Sequence, residues 1–174
     1  MIRGGSLVIL GIDPGYAIIG YGVVKYENYK FIPLEYGAVT TPAKTDFGVR
    51  LQMIHNGITS IIEKYSPDAM SIEKLFFNTN TTTAIDVAQA RGVILLSAQL
   101  KGVPVYEYTP LQVKQSVTGY GRAQKAQVME MTRQMLGLKS VPKPDDTADA
   151  LALTICHGYN AAVISKLGLG GKQK

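Results

Sequence analysis

LVILGIDPGYAIIGYGVV, residues 7–24, is the stretch from which the fold can be read. Two β-rich runs flank Pro14-Gly15, and the only charged residue among them, Asp13, closes the first run. Pro-Gly is a turn signal, so residues 7–13 and 19–26 read as successive antiparallel strands. An ionised carboxylate beside a core is costly unless something offsets it. Asp13 therefore raises the question of where its partner lies in the rest of the chain.

Working outward, FIPLEYGAVT at 31–40 reads as a third strand that completes a meander. Pro33 within it has no N–H to give a ladder, which puts that strand at an edge. Phe47, Leu51, Ile54, Ile58, Ile61 and Tyr65 recur at steps of three or four, the spacing of one helix stripe that stops before Pro67. DAMSIEKL is then a short strand with Glu73 near its end, and TTTAIDVAQARGVILLSAQLKG is a second helix closed at Gly102. VPVYEYT is a further strand, and Thr109-Pro110 has the form of an N-cap followed by proline at the first helical position. The short helix LQVKQSV breaks at TGYGR, and Val128, Met131, Met135 and Leu138 form the stripe of the next. A last helix is expected from about Asp146 to Ala162.

The order β-β-β-α-β-α-β-α-α-α predicts an α/β fold. Strands reached through helices should lie parallel to the first, which gives a mixed five-stranded sheet, three strands antiparallel and two parallel, with helices on both faces. Residues 1–162 read as one domain, and the Gly- and Lys-rich remainder, 163–174, as a disordered basic tail.

Charge narrows the partners. A net charge of +5 and a pI near 9.2 favour a polyanion, and the bases gather late in the chain at Lys101, Lys114, Arg122, Lys125, Arg133, Lys139 and Lys143. No apolar run approaches the roughly 20 residues of a membrane span. The first residues lack a small-residue cleavage site and read as strand rather than signal peptide. The single Cys156 leaves no internal disulfide and fits a buried thiol in a reducing cytoplasm.

With thirteen acids in the chain, position has to select among them. Glu73 ends the strand expected to lie parallel beside the first, so it and Asp13 should emerge at one sheet edge, where ligand chemistry gathers in such sheets. PDDTADALALTICH puts Asp146 and Asp149 three apart, on one face within a turn, while Ala150, Leu151, Leu153 and Ile155 pack that helix on the sheet. Asp145 reads as the N-cap. Taken singly, the helix acids could serve the dipole and Glu73 could pair with Lys74. Converging carboxylates repel and call for a cation. Hard oxygen donors suit Mg²⁺, with Mn²⁺ as a substitute, and two such ions about 4 Å apart would clamp in-line attack on a phosphodiester.

Four blocks, GIDPGYAIIGYGVV, SIEKLFFNTNTTTAIDVAQARGVIL, YTPLQVKQSVTGYGRAQKAQV and KPDDTADALALTICH, fall in the order and spacing of one family. From about residue 7 to 160 the chain resembles the RuvC family of bacterial Holliday junction resolvases, endonucleases of the ribonuclease H-like fold. The resemblance implies that Asp13, Glu73, Asp146 and Asp149 are catalytic and bind the metal, although the first acid of the last pair varies in the family. It also implies that Phe76 holds unstacked bases and that Lys114 and Lys125 contact the DNA backbone; Arg122, from the same block, joins them as a DNA-binding candidate. Core packing would account for Phe76, and a solvated helix face for each lysine.

A homodimer making symmetric nicks in opposite strands of a four-way junction, in recombination and repair, follows from the same resemblance. So do the RuvA and RuvB branch-migration proteins as partners. The residues before Leu7 and the tail match no motif. Two other readings are an actin-like-fold nucleotide-binding protein, for which the chain lacks a second lobe, and a non-catalytic junction-binding protein.

Overall fold

The opening stretch forms the middle of the sheet. In the structure, a computed structural model that describes residues 6–74 and 81–166, β1 (Ser6–Asp13) is flanked by β2 (Ile18–Glu27) and β4 (Ala69–Glu73). β2 pairs antiparallel with β1, and β4 pairs parallel with it. β3 (Lys30–Thr40) lies outside β2, and β5 (Val105–Tyr108) lies parallel outside β4, giving the order β3-β2-β1-β4-β5. This is the expected mixed sheet, and Pro33 sits on an edge strand. Beside Pro33 the register with β2 slips between Val23 and Val24.

Each face of the sheet has its own core. On one face, Leu10, Ile12, Val23, Met70 and Ile72 pack against α1 (Phe47–Tyr65) and α2 (Thr81–Leu100). On the other, Ile9, Val24, Tyr26 and Phe31 meet α5 (Asp145–Lys166), with α3 (Pro110–Thr118) and α4 (Lys125–Met135) behind it. Strand side chains alternate between faces. Ile9, on the α5 side, puts Asp13 on that side too, and the hydroxyl of Ser71, which donates to the Leu153 carbonyl at 2.8 Å, does the same for Glu73.

α5 lies directly on the strands because glycines line its bed. A Cβ at Gly11 would collide with the carbonyl oxygen of Ala150, one at Gly20 with that of Asp146, and one at Gly22 with Leu151. Gly11 and Gly22 are cross-strand partners, and Gly20 is the partner of Asp13. The glycines of GIDPGYAIIGYG thus lower the start of α5 onto the end of β1.

Four expectations are corrected. The buried line of α1 is Arg50, Ile54, Ile58 and Ile62, with Leu51, Ile61 and Tyr65 only flanking it. In α4, Met131 is exposed, and Val128, Met129 and Thr132 are buried. Asp145 lies inside the first turn of α5, where its carboxylate takes the Lys143 ammonium at 2.7 Å, so it is not a cap standing before the helix. α5 runs to Lys166, four residues past the expected end, and so includes the start of the supposed tail; residues 167–174 lie outside the described residues. Among the described residues no helix is long and apolar enough to cross a membrane.

Candidate active site

β1 and β4 run parallel with Ile12 beside Ile72, so Asp13 and Glu73 are the next residues along on neighbouring strands, at their carboxyl ends. Glu73 is continued into β5 by its pairing with Tyr108. α5 begins above them, and Gly20 lets the backbone of Asp146 approach the strand residue opposite Asp13. One turn further on, Asp149 points into a cleft of about 280 Å³ that Glu73, Lys114 and Lys125 also line. Pro110, Val113, Val128 and Leu153 are its apolar walls.

Asp13 feels the charge of each of the other three acids. Burial, and then the charges of Glu73, Asp149 and Asp146, push the Asp13 carboxyl up to about 8, while Lys125 pulls the other way. Glu73 is raised by burial and by Asp149. The Lys125 ammonium sits 2.8 Å from an Asp149 oxygen, and this hydrogen bond raises its own pKa. The positive end of α5 faces the same acids. Among the described residues, no three His, Cys, Asp or Glu side chains are gathered closely enough to hold a metal ion as they stand. The donor set nonetheless fits a hard divalent cation: it is all carboxylate, partly buried and short of positive charge.

Lys114 and Lys125 line the same cleft as Glu73 and Asp149. Arg122 lies outside its lining, exposed on the turn between α3 and α4. Phe76 lies outside the described residues.

Two arginines that the sequence reading passed over support the acids. Arg91 of α2 donates from Nε to the Glu73 carbonyl at 3.4 Å and pairs with Glu107 of β5 at 2.9 Å, which ties down the end of β4. Arg50 is buried, donates from Nε to the Thr41 hydroxyl at 2.8 Å, and lies over the Tyr16 ring at 4.6 Å. The Thr41 hydroxyl in turn donates to the Tyr16 carbonyl at 2.6 Å, so Arg50 fastens the loop that follows Asp13. The signal for Arg50 was its phase: it stands four residues before Ile54, on the apolar stripe itself.

Residues 9–157 match the family model described as crossover junction endodeoxyribonuclease RuvC. A protein of that name from Clostridioides difficile (strain 630) is 56% identical over 95% of this chain and 99% of its own length. One from Brevibacillus brevis is 58% identical over 90% of this chain and 95% of its own. Among solved structures, Thermus thermophilus RuvC superposes with a TM-score of 0.84 at 38% identity, covering 90% of this chain and 96% of that one. The same protein in complex with Holliday junction substrate gives 0.83 at 35% identity, with the same coverage. The yeast mitochondrial Holliday junction resolvase Ydc2, at 14% identity and a TM-score of 0.68, shares the fold.

Proposed function

The chain belongs to the RuvC family of crossover junction endodeoxyribonucleases, and from that premise we propose that it resolves Holliday junctions by hydrolysing phosphodiester bonds, nicking opposite strands symmetrically. The observation that carries this reading is the coupled set Asp13, Glu73, Asp146 and Asp149 at the strand ends beneath α5, beside a cleft with basic residues on its wall. The family match favours it over nucleotide binding and over binding without cleavage.

The four carboxylates would hold the metal. Mg²⁺, with Mn²⁺ as a substitute and two ions per site, would supply the positive charge that lets an acidic centre accept a phosphate and that stabilises the leaving oxygen. Asp13 and Glu73 are fixed by the sheet and Asp146 and Asp149 by α5, so the ligands come from rigid elements. Lys114 and Lys125 hold the DNA backbone at the cleft, with Arg122 beyond its edge. Phe76 keeps bases unstacked at the crossover. The enzyme works in the cytoplasm with RuvA and RuvB.

Symmetric nicking needs two copies. α2 supports a homodimer, because Ile85, Leu96 and Leu100 are exposed along one line and Gly92 between them faces open space. An apolar stripe of this kind marks an interaction surface.

The test is to incubate the protein with a mobile four-way junction and with plain duplex, with and without Mg²⁺, and to map the nicks. Paired nicks near the crossover that require the metal are expected. Indiscriminate duplex cutting would assign the chain another nuclease activity. Asp13→Asn should abolish cleavage and leave junction binding intact or stronger, and wild-type cleavage by that variant would reject the metal-site assignment.

A further inference from the structure

The turn between α3 and α4 holds one aromatic ring outward on a fixed backbone. Gly119 caps α3 at φ 73°, and the Tyr120 N–H donates to the Thr118 hydroxyl at 3.1 Å. That hydroxyl donates to the Lys114 carbonyl at 2.8 Å, and the Tyr120 carbonyl accepts from the Ala123 N–H at 3.1 Å. Gly121 backs onto Leu111 so closely that a Cβ would press on it. The main chain on either side of Tyr120 is therefore set, yet the ring is 58% exposed. Among the described residues no hydrogen bond, ring contact or cation engages its phenol. Packing gives no reason for a tyrosine here.

The surroundings supply one. Lys114 and Arg122 stand within a few residues of the ring, and among the described residues neither takes part in an ion pair. Lys125 closes the turn as the first residue of α4 and reaches into the catalytic cleft. An exposed aromatic on a fixed backbone, in a chain segment that also carries unpaired basic residues, is the arrangement by which proteins hold unpaired nucleotides: the charges take the phosphates and the ring face takes a base.

We propose that Tyr120 is a stacking platform for an unpaired base of the bound junction, on the turn whose two flanking helices carry the cleft lysines Lys114 and Lys125. This rests on the junction-nuclease reading and adds a base contact to it. Stacking uses the ring and not the hydroxyl, so Tyr120→Phe and Tyr120→Ala separate the two.

The experiment measures binding of labelled four-way junction and of duplex in EDTA, where nothing is cut. Tyr120→Ala should bind the junction roughly tenfold more weakly, Tyr120→Phe should stay within about twofold of wild type, and duplex binding should not change. Both variants should melt with the wild type, since the ring is exposed. Junction affinity unaltered in Tyr120→Ala overturns the proposal. So does an equal loss in Tyr120→Phe, which would mean a hydroxyl contact, or an equal loss on duplex, which would mean a backbone contact. If the wild type itself shows no preference for the junction, the function reading fails first. If the wild type prefers the junction and Tyr120→Ala binds it just as well, that reading stands and the stacking role falls.

Discussion

Asp13 keeps a proton that an isolated aspartate would have lost, because burial and three neighbouring carboxylates raise it from 3.8 to about 8. A folded-state pKa above the unfolded one stabilises the protein at low pH, and that contribution is lost as pH rises through the folded value. In EDTA, Asp13→Asn should therefore match the wild type near pH 4 and become increasingly more stable toward pH 8. At about 1.4 kcal/mol per unit, the gap should reach a few kcal/mol. Thermal melts across that range check it.

His157 has the opposite sign. Burial lowers it from 6.5 to about 4, with Nδ1 2.8 Å from the Tyr108 hydroxyl. Its contribution is whole above pH 6.5 and is lost as pH falls toward 4. His157→Gln should be less stable than wild type at pH 7.5, and the deficit should shrink on acidification, by about 3 kcal/mol at most. The two slopes oppose each other between pH 4 and 6.5. Each is read only as a difference from its own variant.

At the scale of elements, the glycine bed makes α5 the critical piece. Gly20→Ala forces the first turn of α5 away from β2, since the new Cβ would meet the Asp146 carbonyl. Overpacking of this kind costs about 1–3 kcal/mol. The displaced turn carries Asp146 and leads directly into Asp149, so cleavage should fall by roughly a hundredfold or more while junction binding changes less. A Gly20→Ala protein that cuts like wild type would mean that the close approach is not needed for catalysis.

This approach was not legible in the sequence. Composition, helical spacing and turn signals together locate all ten elements, because turn residues such as Pro14-Gly15, Pro67 and Thr109-Pro110 punctuate them and leave little freedom between. Strand order followed from the connections. The α1 stripe was misphased because Arg50 counts as polar in any hydrophobic pattern, although its stem and guanidinium are taken up by Tyr16 and Thr41. Met131 was placed inside because a methionine at helical spacing cannot reveal that α4 rests on Thr132 instead. The acids were legible by their strand-end and helix-face positions. Of the arginines that brace them, Arg50 shows only in its phase on the α1 stripe, and Arg91 leaves no spacing to find.

For the whole molecule, charge and symmetry set the behaviour. Junction binding should weaken linearly with the logarithm of salt concentration, and Lys114→Ala should lower that slope by about one. Affinity titrations at several salt concentrations measure it, and an unchanged slope would place Lys114 away from the phosphates. Leu96→Glu puts a charge into the exposed stripe of α2, where Leu96 is 54% exposed. If two copies pair through α2 as proposed, sedimentation should show Leu96→Glu as a monomer where the wild type is a dimer, and the paired nicks should become single, unlinked ones. A Leu96→Glu dimer that still cuts in pairs would put the subunit contact elsewhere.

α5 is buried on nearly every side from Thr147 to Gly158, and the rod that lies at the heart of one of the two cores also carries half of the acids. Such a molecule has no inactive yet folded intermediate to visit on warming. Loss of nicking and loss of ellipticity should fall on one curve, and a heat-treated sample should contain fully competent enzyme and denatured chain with nothing between them.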